Sequence, residues 1–120
     1  MKPKTEPSLV PRLRVMRGKN IAFGPGKAEL LALLAETGSI GKAARRMGMS
    51  YMRAWSLIRT MNQSFKEPLV FAAHGGRGGG GGAKLTETGR KVLDLYRQME
   101  QTSLRAITPS WKQLQQLLPD

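Results

Sequence analysis

The strongest constraint on the fold is the block at residues 38–55, where a glycine joins two short segments of helical character. Ser39 can cap the first segment and Ser50 the second, and Gly48 suits the left-handed conformation of a tight turn. The apolar residues of the first segment recur at i, i+3, i+4 and i+7, and they are Ile40, Ala43, Ala44 and Met47. This pattern predicts a helix-turn-helix.

The charge balance indicates a polyanionic partner. The chain has 120 residues, with 20 Lys and Arg against 8 Asp and Glu, and a formal net charge of +12, an imbalance typical of nucleic-acid-binding proteins. No acidic residue lies between Glu36 and Glu67, and the cations of that segment include Lys42, Arg45, Arg46, Arg53 and Arg59. The apolar run at Leu30–Ala35 is far shorter than the roughly 20 residues that span a bilayer. We therefore expect double-stranded DNA as the partner, and no membrane.

The third helix is predicted to carry the DNA-contacting residues. Ala54, Ile58 and Met61 form an apolar stripe expected to face the core. Tyr51 and Trp55 share one flank, where packing of Trp55 is favoured over direct DNA contact. A solvated basic helix face is the alternative interpretation. The predicted DNA-binding residues at the start and on the outer face of this helix are Ser50, Tyr51, Met52, Arg53, Ser56, Arg59 and Thr60.

A glycine run at residues 75–82 lies between two short strand-like segments, 69–71 and 83–85. A Walker loop needs Gly-Lys followed by Ser or Thr, and the sequence lacks that order, so a nucleotide site is rejected. We favour a β-hairpin wing in which Arg77 and Lys84 contact the phosphate backbone. A surface hairpin without DNA contact is the alternative.

The flanks predict three regions: a flexible N-terminus at residues 1–10, a DNA-binding domain at 11–104 and a short C-terminal helix at 105–120. A strand is expected from Pro11 to about Arg17, and a chain break at residues 24–26 before the first helix. Thr86 can cap a fourth helix from Glu87 to about Leu104. Thr108-Pro109 then resembles the start of a separate helix that ends at Pro119.

The fourth helix carries an apolar stripe of Val92, Leu95, Tyr96 and Met99. Two uses of this stripe are open: self-association, together with Trp111 and Leu114, or packing back on the first helix. The fold class expected is mainly α with a small β-hairpin, a winged helix-turn-helix with an N-terminal strand and a C-terminal amphipathic dimerisation helix.

The stretch from Gly38 to Tyr96 resembles the N-terminal DNA-binding domain of the ModE family of molybdate-responsive repressors. Its junction after the hairpin is also similar to that of LysR-type regulators. The resemblance implies a winged helix-turn-helix, a homodimer and palindromic operator DNA. The matching motifs are Gly38-Ser39-Ile40, Ser50-Tyr51, Ala54-Trp55, Met61-Asn62-Gln63, the glycine run, and Leu85-Thr86-Glu87-Thr88-Gly89.

Full-length ModE proteins carry C-terminal oxyanion-binding domains, for which 120 residues leave no room. The sequence therefore does not support molybdate binding. A single-domain relative, a truncated chain and a regulator whose effector binds elsewhere are all compatible with it.

The sequence favours a transcriptional regulator over an enzyme. Cysteine is absent, which excludes disulfides, thiolate zinc and a cysteine nucleophile. His74 lacks neighbouring ligands for a metal, no catalytic motif is present, and we expect no cofactor. The N-terminus lacks a secretory signal, so a cytoplasmic protein is expected. A small nonspecific or architectural nucleic-acid-binding protein is the alternative.

Overall fold

The computed structural model describes residues 6–72 and 82–120. Its four helices are α1 (Pro25–Thr37), α2 (Ile40–Met47), α3 (Tyr51–Ser64) and α4 (Glu87–Gln115). Its strands form two antiparallel hairpins, β1 (Val15–Arg17) with β2 (Asn20–Phe23) and β3 (Val70–Ala72) with β4 (Ala83–Leu85). Because β3 and β4 lie between α3 and α4, the order of elements is that of a winged helix-turn-helix. The predicted mainly α fold with a small β-hairpin and a long C-terminal helix is confirmed.

Short-range chemistry sets the ends of the central helices. The Ser39 hydroxyl accepts a hydrogen bond from the amide of Lys42 at 3.2 Å, and the Ser50 hydroxyl accepts one from the amide of Arg53 at 3.1 Å. Gly48 has φ of 68°, a left-handed conformation that glycine adopts without steric cost. The predicted caps and the turn of the helix-turn-helix are therefore present.

The core is built around α1, which packs against α2, α3, α4, β2 and β4. Phe23 at the end of β2 packs edge-on against Phe65 and Tyr96, with ring centroids 6.0 and 5.1 Å apart. Burial of each leucine side chain contributes about 1.5–3 kcal/mol. The buried side chains of the helices include Leu30, Leu31, Leu34, Ile40, Ala43, Ala54, Ile58 and Met61.

The N-terminal strand is shorter than predicted, because β1 begins at Val15 and not at Pro11. Leu13 has a partner outside a sheet: its carbonyl accepts a hydrogen bond from the Tyr96 hydroxyl at 2.7 Å. Further toward the N-terminus, Glu6 and Pro7 share a cleft with residues 115–116 and 118–120 at the far end of α4. The segment before β1 therefore runs beside α4.

The predicted break between a fourth helix and a separate C-terminal helix is wrong. α4 continues through Pro109 to Gln115. Proline lacks the backbone donor that would bind the carbonyl of Arg105, but its fixed φ is close to that of an α-helix. In the same turn the Thr108 hydroxyl donates to the carbonyl of Leu104 at 2.6 Å. A chain break was predicted at residues 24–26, but α1 already begins at Pro25. Proline suits the first position of a helix.

The predicted apolar stripe of α4 divides between two environments. Tyr96 is 2% exposed, and Val92 packs against the core. Leu95 and Met99 are each 48% exposed. The packing alternative therefore holds for the first pair, and a surface for self-association is left with the second.

Candidate nucleic-acid interface

α3 separates an apolar face from a polar one, as the sequence predicts. Ala54, Ile58 and Met61 are buried against the core. Met52 is 65% exposed. The other predicted outer-face residues are also exposed, and they are Arg53, Ser56, Arg59 and Thr60.

The hydroxyl groups of this face differ in what they can offer a nucleic acid. Ser50 accepts the amide of Arg53 and keeps its own proton for donation. Thr60 instead donates its proton to the carbonyl of Ser56 at 3.0 Å, which leaves an acceptor and a methyl group. Arg53 and Arg59 carry the positive charge, and guanidinium groups suit both guanine edges and phosphates.

The two aromatic residues of α3 lie at the boundary of the interface. Tyr51 and Trp55 are half-buried and pack against the hydrophobic core. For Trp55 this agrees with the packing role favoured from the sequence. Tyr51, predicted to contact DNA, has part of its side chain committed to packing.

The hairpin after α3 carries Lys84, an exposed residue of β4. It is opposite Phe71 of β3, whose ring is 64% exposed and was not singled out from the sequence. Arg77 and the glycine run up to residue 81 lie outside the described residues. The base of the hairpin is joined to the α1–α2 turn, because the amide of Ala83 donates to the carbonyl of Gly38 at 3.2 Å.

Sequence reasoning did not assign a role to Asn62, which connects α3 to β3. Its Oδ1 accepts the amides of Leu69 and Val70 at 2.8 and 3.1 Å, and its Nδ2 donates to the carbonyl of Val70 at 3.1 Å. The available signal was a polar residue one turn after Ile58, on the apolar side of the helix. Asn62 therefore fixes the hairpin relative to α3.

The first helix of the helix-turn-helix, α2, contributes further exposed cations. Lys42 and Arg45 are exposed. Arg46 pairs with Glu36 at 3.0 Å, both side chains being more than half exposed, so the pair contributes little to stability. Both helices of the helix-turn-helix therefore carry exposed positive charge.

Residues 26–90 match the family described as bacterial regulatory helix-turn-helix protein, lysR family. The chain belongs to the lysR family. The matched residues of this LysR-type domain begin in the first turn of α1 and end in the first turn of α4. They contain the helix-turn-helix and the hairpin, so the predicted DNA-binding regulator domain is confirmed.

The chain is also similar to proteins named for molybdenum-pterin binding, for molybdenum transport and for transcriptional regulation. It is 36% identical to molybdenum-pterin-binding protein MopA of Rhodobacter capsulatus over 102 residues, which cover 85% of this chain and 38% of MopA. It is 42% identical to molybdenum transport protein ModE of Azotobacter vinelandii over 79 residues, 66% of this chain and 29% of that protein.

A similar match is found with the DNA-binding transcriptional dual regulator ModE of Escherichia coli K12. The identity is 42% over 82 residues, covering 68% of this chain and 31% of that protein. The chain thus spans about a third of the length of these relatives, and the resemblance to the ModE DNA-binding domain is confirmed. Among the described residues, no helix is long and apolar enough to cross a membrane.

Proposed function

We propose that this chain is a sequence-specific regulator that binds operator DNA as a homodimer, with α3 in the major groove. The observation that carries the proposal is the exposed polar face of α3, held on a helix whose opposite face is buried. A helix fixed in this way can enter the groove without rearranging the core. A cytoplasmic location is part of the proposal.

Each residue of the α3 face has a chemical role in this proposal. Arg53 and Arg59 contact guanine edges or phosphates, and Ser56 and Thr60 contact base edges beside them. Ser50 and Tyr51 lie at the start of α3 and contact the phosphate backbone of the DNA, because the amides of a helix N-terminus favour anions. Met52 makes apolar contact with the groove.

The hairpin is proposed to contact the phosphate backbone beside the groove. Lys84 supplies an exposed ammonium group on β4, and Arg77 supplies a second cation from the glycine-rich segment. Phosphate contacts position a protein on the duplex without specifying the sequence. Molybdate binding and catalysis are not part of the proposal.

Replacement of Arg53 or Arg59 by alanine tests the role of α3. We expect weaker binding to an operator selected from random duplexes, by about 1–3 kcal/mol for a lost bidentate base contact. Thermal stability should change little, because both side chains are exposed. The measurement is a binding titration at fixed salt concentration, with Arg105→Ala on α4 as the control of equal charge change.

Comparison of operator and random duplexes distinguishes the proposed function from an architectural protein. A sequence-specific regulator binds its site typically 10³–10⁷-fold more tightly than random DNA. Equal affinities would instead support nonspecific binding. Unchanged operator affinity in both arginine variants would exclude α3 as the DNA-contacting helix.

A further inference from the structure

A basic cavity of about 280 Å³ lies where the first hairpin, the start of α1 and the start of α3 meet. Its cationic residues come from three parts of the chain that are distant in sequence. Its walls include apolar side chains from the α2–α3 turn and from α3. The residues that line it are Arg12, Arg14, Ile21, Gly24, Pro25, Gly26, Lys27, Met47, Met49, Arg53 and Leu57.

The charge of this cavity has one sign. Arg12, Arg14, Lys27 and Arg53 all line it, and none of its lining residues is acidic. Lys27 is held in place because its ammonium group donates to the carbonyl of Ile21 at 2.7 Å. Burial lowers the pKa of Lys27, so a bound anion would compensate for the lost hydration of its charge.

The start of α1 leaves the cavity open to an anion. Gly24 precedes the helix and provides no side-chain cap, so amides of the first turn have no such partner. A Cβ atom at Gly26 would have no heavy atom within 4 Å. The stem of Arg14 lies close by, its Cγ 3.6 Å from the position of a Cβ at Gly24.

Arg53 connects this cavity to the proposed DNA-binding face, since it belongs to both. We propose that the cavity binds a backbone phosphate of the duplex beside the groove that α3 enters. This inference rests on the proposed function and adds a contact from the segment before β1 to those of α3 and the wing. Arg12 and Arg14 are the contacting residues specific to it.

The salt dependence of DNA binding tests the inference. Each phosphate neutralised contributes about 0.9 to the slope of log affinity against log salt concentration. We expect the double variant Arg12→Gln/Arg14→Gln to lower the steepness of this slope by about 1–2 and to weaken binding to operator and random duplexes alike. The control Arg105→Gln/Lys112→Gln makes the same charge change on distal α4 and should leave the slope close to that of the wild type.

A second variant tests the mouth of the cavity. Gly26→Glu adds a carboxylate where there is free space, so we expect normal folding and at least tenfold weaker DNA binding. The cavity proposal would be overturned if the Arg12→Gln/Arg14→Gln variant kept the wild-type salt slope while Arg59→Ala still lost affinity for the operator. DNA recognition would then be assigned to α3 alone. If Arg53→Ala and Arg59→Ala also left operator affinity unchanged, the proposed function itself would fail.

A titration with inorganic phosphate, without DNA, separates a backbone phosphate from a free anion. The DNA proposal predicts no saturable rise in melting temperature at low millimolar phosphate. A saturable rise that Arg12→Gln/Arg14→Gln abolishes, together with an unchanged DNA salt slope, would assign the cavity to free phosphate and overturn the proposal.

Discussion

The side chain of Tyr96 combines a buried aromatic ring with a hydrogen bond from its hydroxyl group. Its ring is buried beside Phe23, and its hydroxyl donates to the carbonyl of Leu13, 83 residues earlier in the chain. Burial, and secondarily the charge of Glu100, raise the pKa of this phenol. The neutral, protonated form is therefore the one that the folded protein favours.

The Tyr96→Phe variant should lose about 1 kcal/mol of stability at pH 7, because the hydrogen bond to Leu13 is removed. In the wild type, a folded pKa above the unfolded value of about 10 stabilises the protein fully below pH 10, and this contribution is lost as the pH rises through the folded pKa. Urea denaturation between pH 7 and 11 should therefore show a flatter decline for the variant. Parallel curves would contradict the role of this phenol.

Tyr96 and Asn62 also show where sequence reasoning stops. Periodicity placed Tyr96 correctly on the apolar stripe of α4, and Asn62 was noted only as part of a family motif. The partners of these side chains, Leu13 and Val70, depend on how separate segments meet in space. The sequence pattern within one segment contains no information on which distant segment it will contact.

The start of α4 is fixed against Pro68 and Leu69, the two residues before β3. Thr86 donates its hydroxyl to the carbonyl of Pro68 at 2.7 Å and accepts the amide of Gly89 at 2.9 Å. A Cβ at Gly89 would collide with the backbone carbonyl of Leu69. Glycine is therefore required by close packing at this position, and not by its backbone conformation.

We expect Gly89→Ala to destabilise the protein by about 1–3 kcal/mol or more, since backbone must shift to admit the methyl group. Gly26→Ala is the matched control, in the first turn of α1 with free space around it. That control should be neutral or slightly stabilising. Equal melting temperatures for the two variants would show that α4 does not pack on Leu69 as described.

Local sequence signals were sufficient to predict where α2 and α3 begin, but not how far α4 extends. The serine caps and Gly48 act within three or four residues, so the helix-turn-helix was predictable. Pro109 follows a threonine and resembles a helix start, yet it lies inside α4. A proline signal has two interpretations, and only the packing of the surrounding chain decides between them.

The whole molecule is elongated, with a longest extent of 55 Å, because α4 extends well beyond the core. Its 29 residues correspond to roughly 43 Å. The large apolar residues exposed on it include Leu95, Met99, Leu104, Ile107 and Leu114. An apolar helix surface of this kind suits pairing with a second copy.

The double variant Leu104→Glu/Ile107→Glu should convert the proposed dimer into a folded monomer. Both side chains lie beyond the buried part of α4 and are exposed, so the core should be unaffected. Sedimentation at micromolar concentration measures the mass, and a half-site duplex should still bind while the gain from the second half-site is lost.

Arg105→Glu is the control for this experiment, because it adds a carboxylate between the two positions but on another side of the helix. It should stay dimeric. A wild-type chain that sediments as a monomer would refute the homodimer. A double variant that stays dimeric would place the interface elsewhere, most simply at α1 and the N-terminal hairpin.

Because α4 is one continuous helix, a small rotation at its base produces a large displacement at its far end. Thr86 and Gly89 join its first turn to Pro68 and Leu69, just before β3. Asn62 joins Leu69 and Val70 to α3, so the base of the helix is linked to both the hairpin and α3. A tilt of about 5° about that base displaces the far end by roughly 4 Å over its length. Conversely, a force applied near Gln115 acts through the length of α4 on the hairpin and α3, the elements that are proposed to contact DNA.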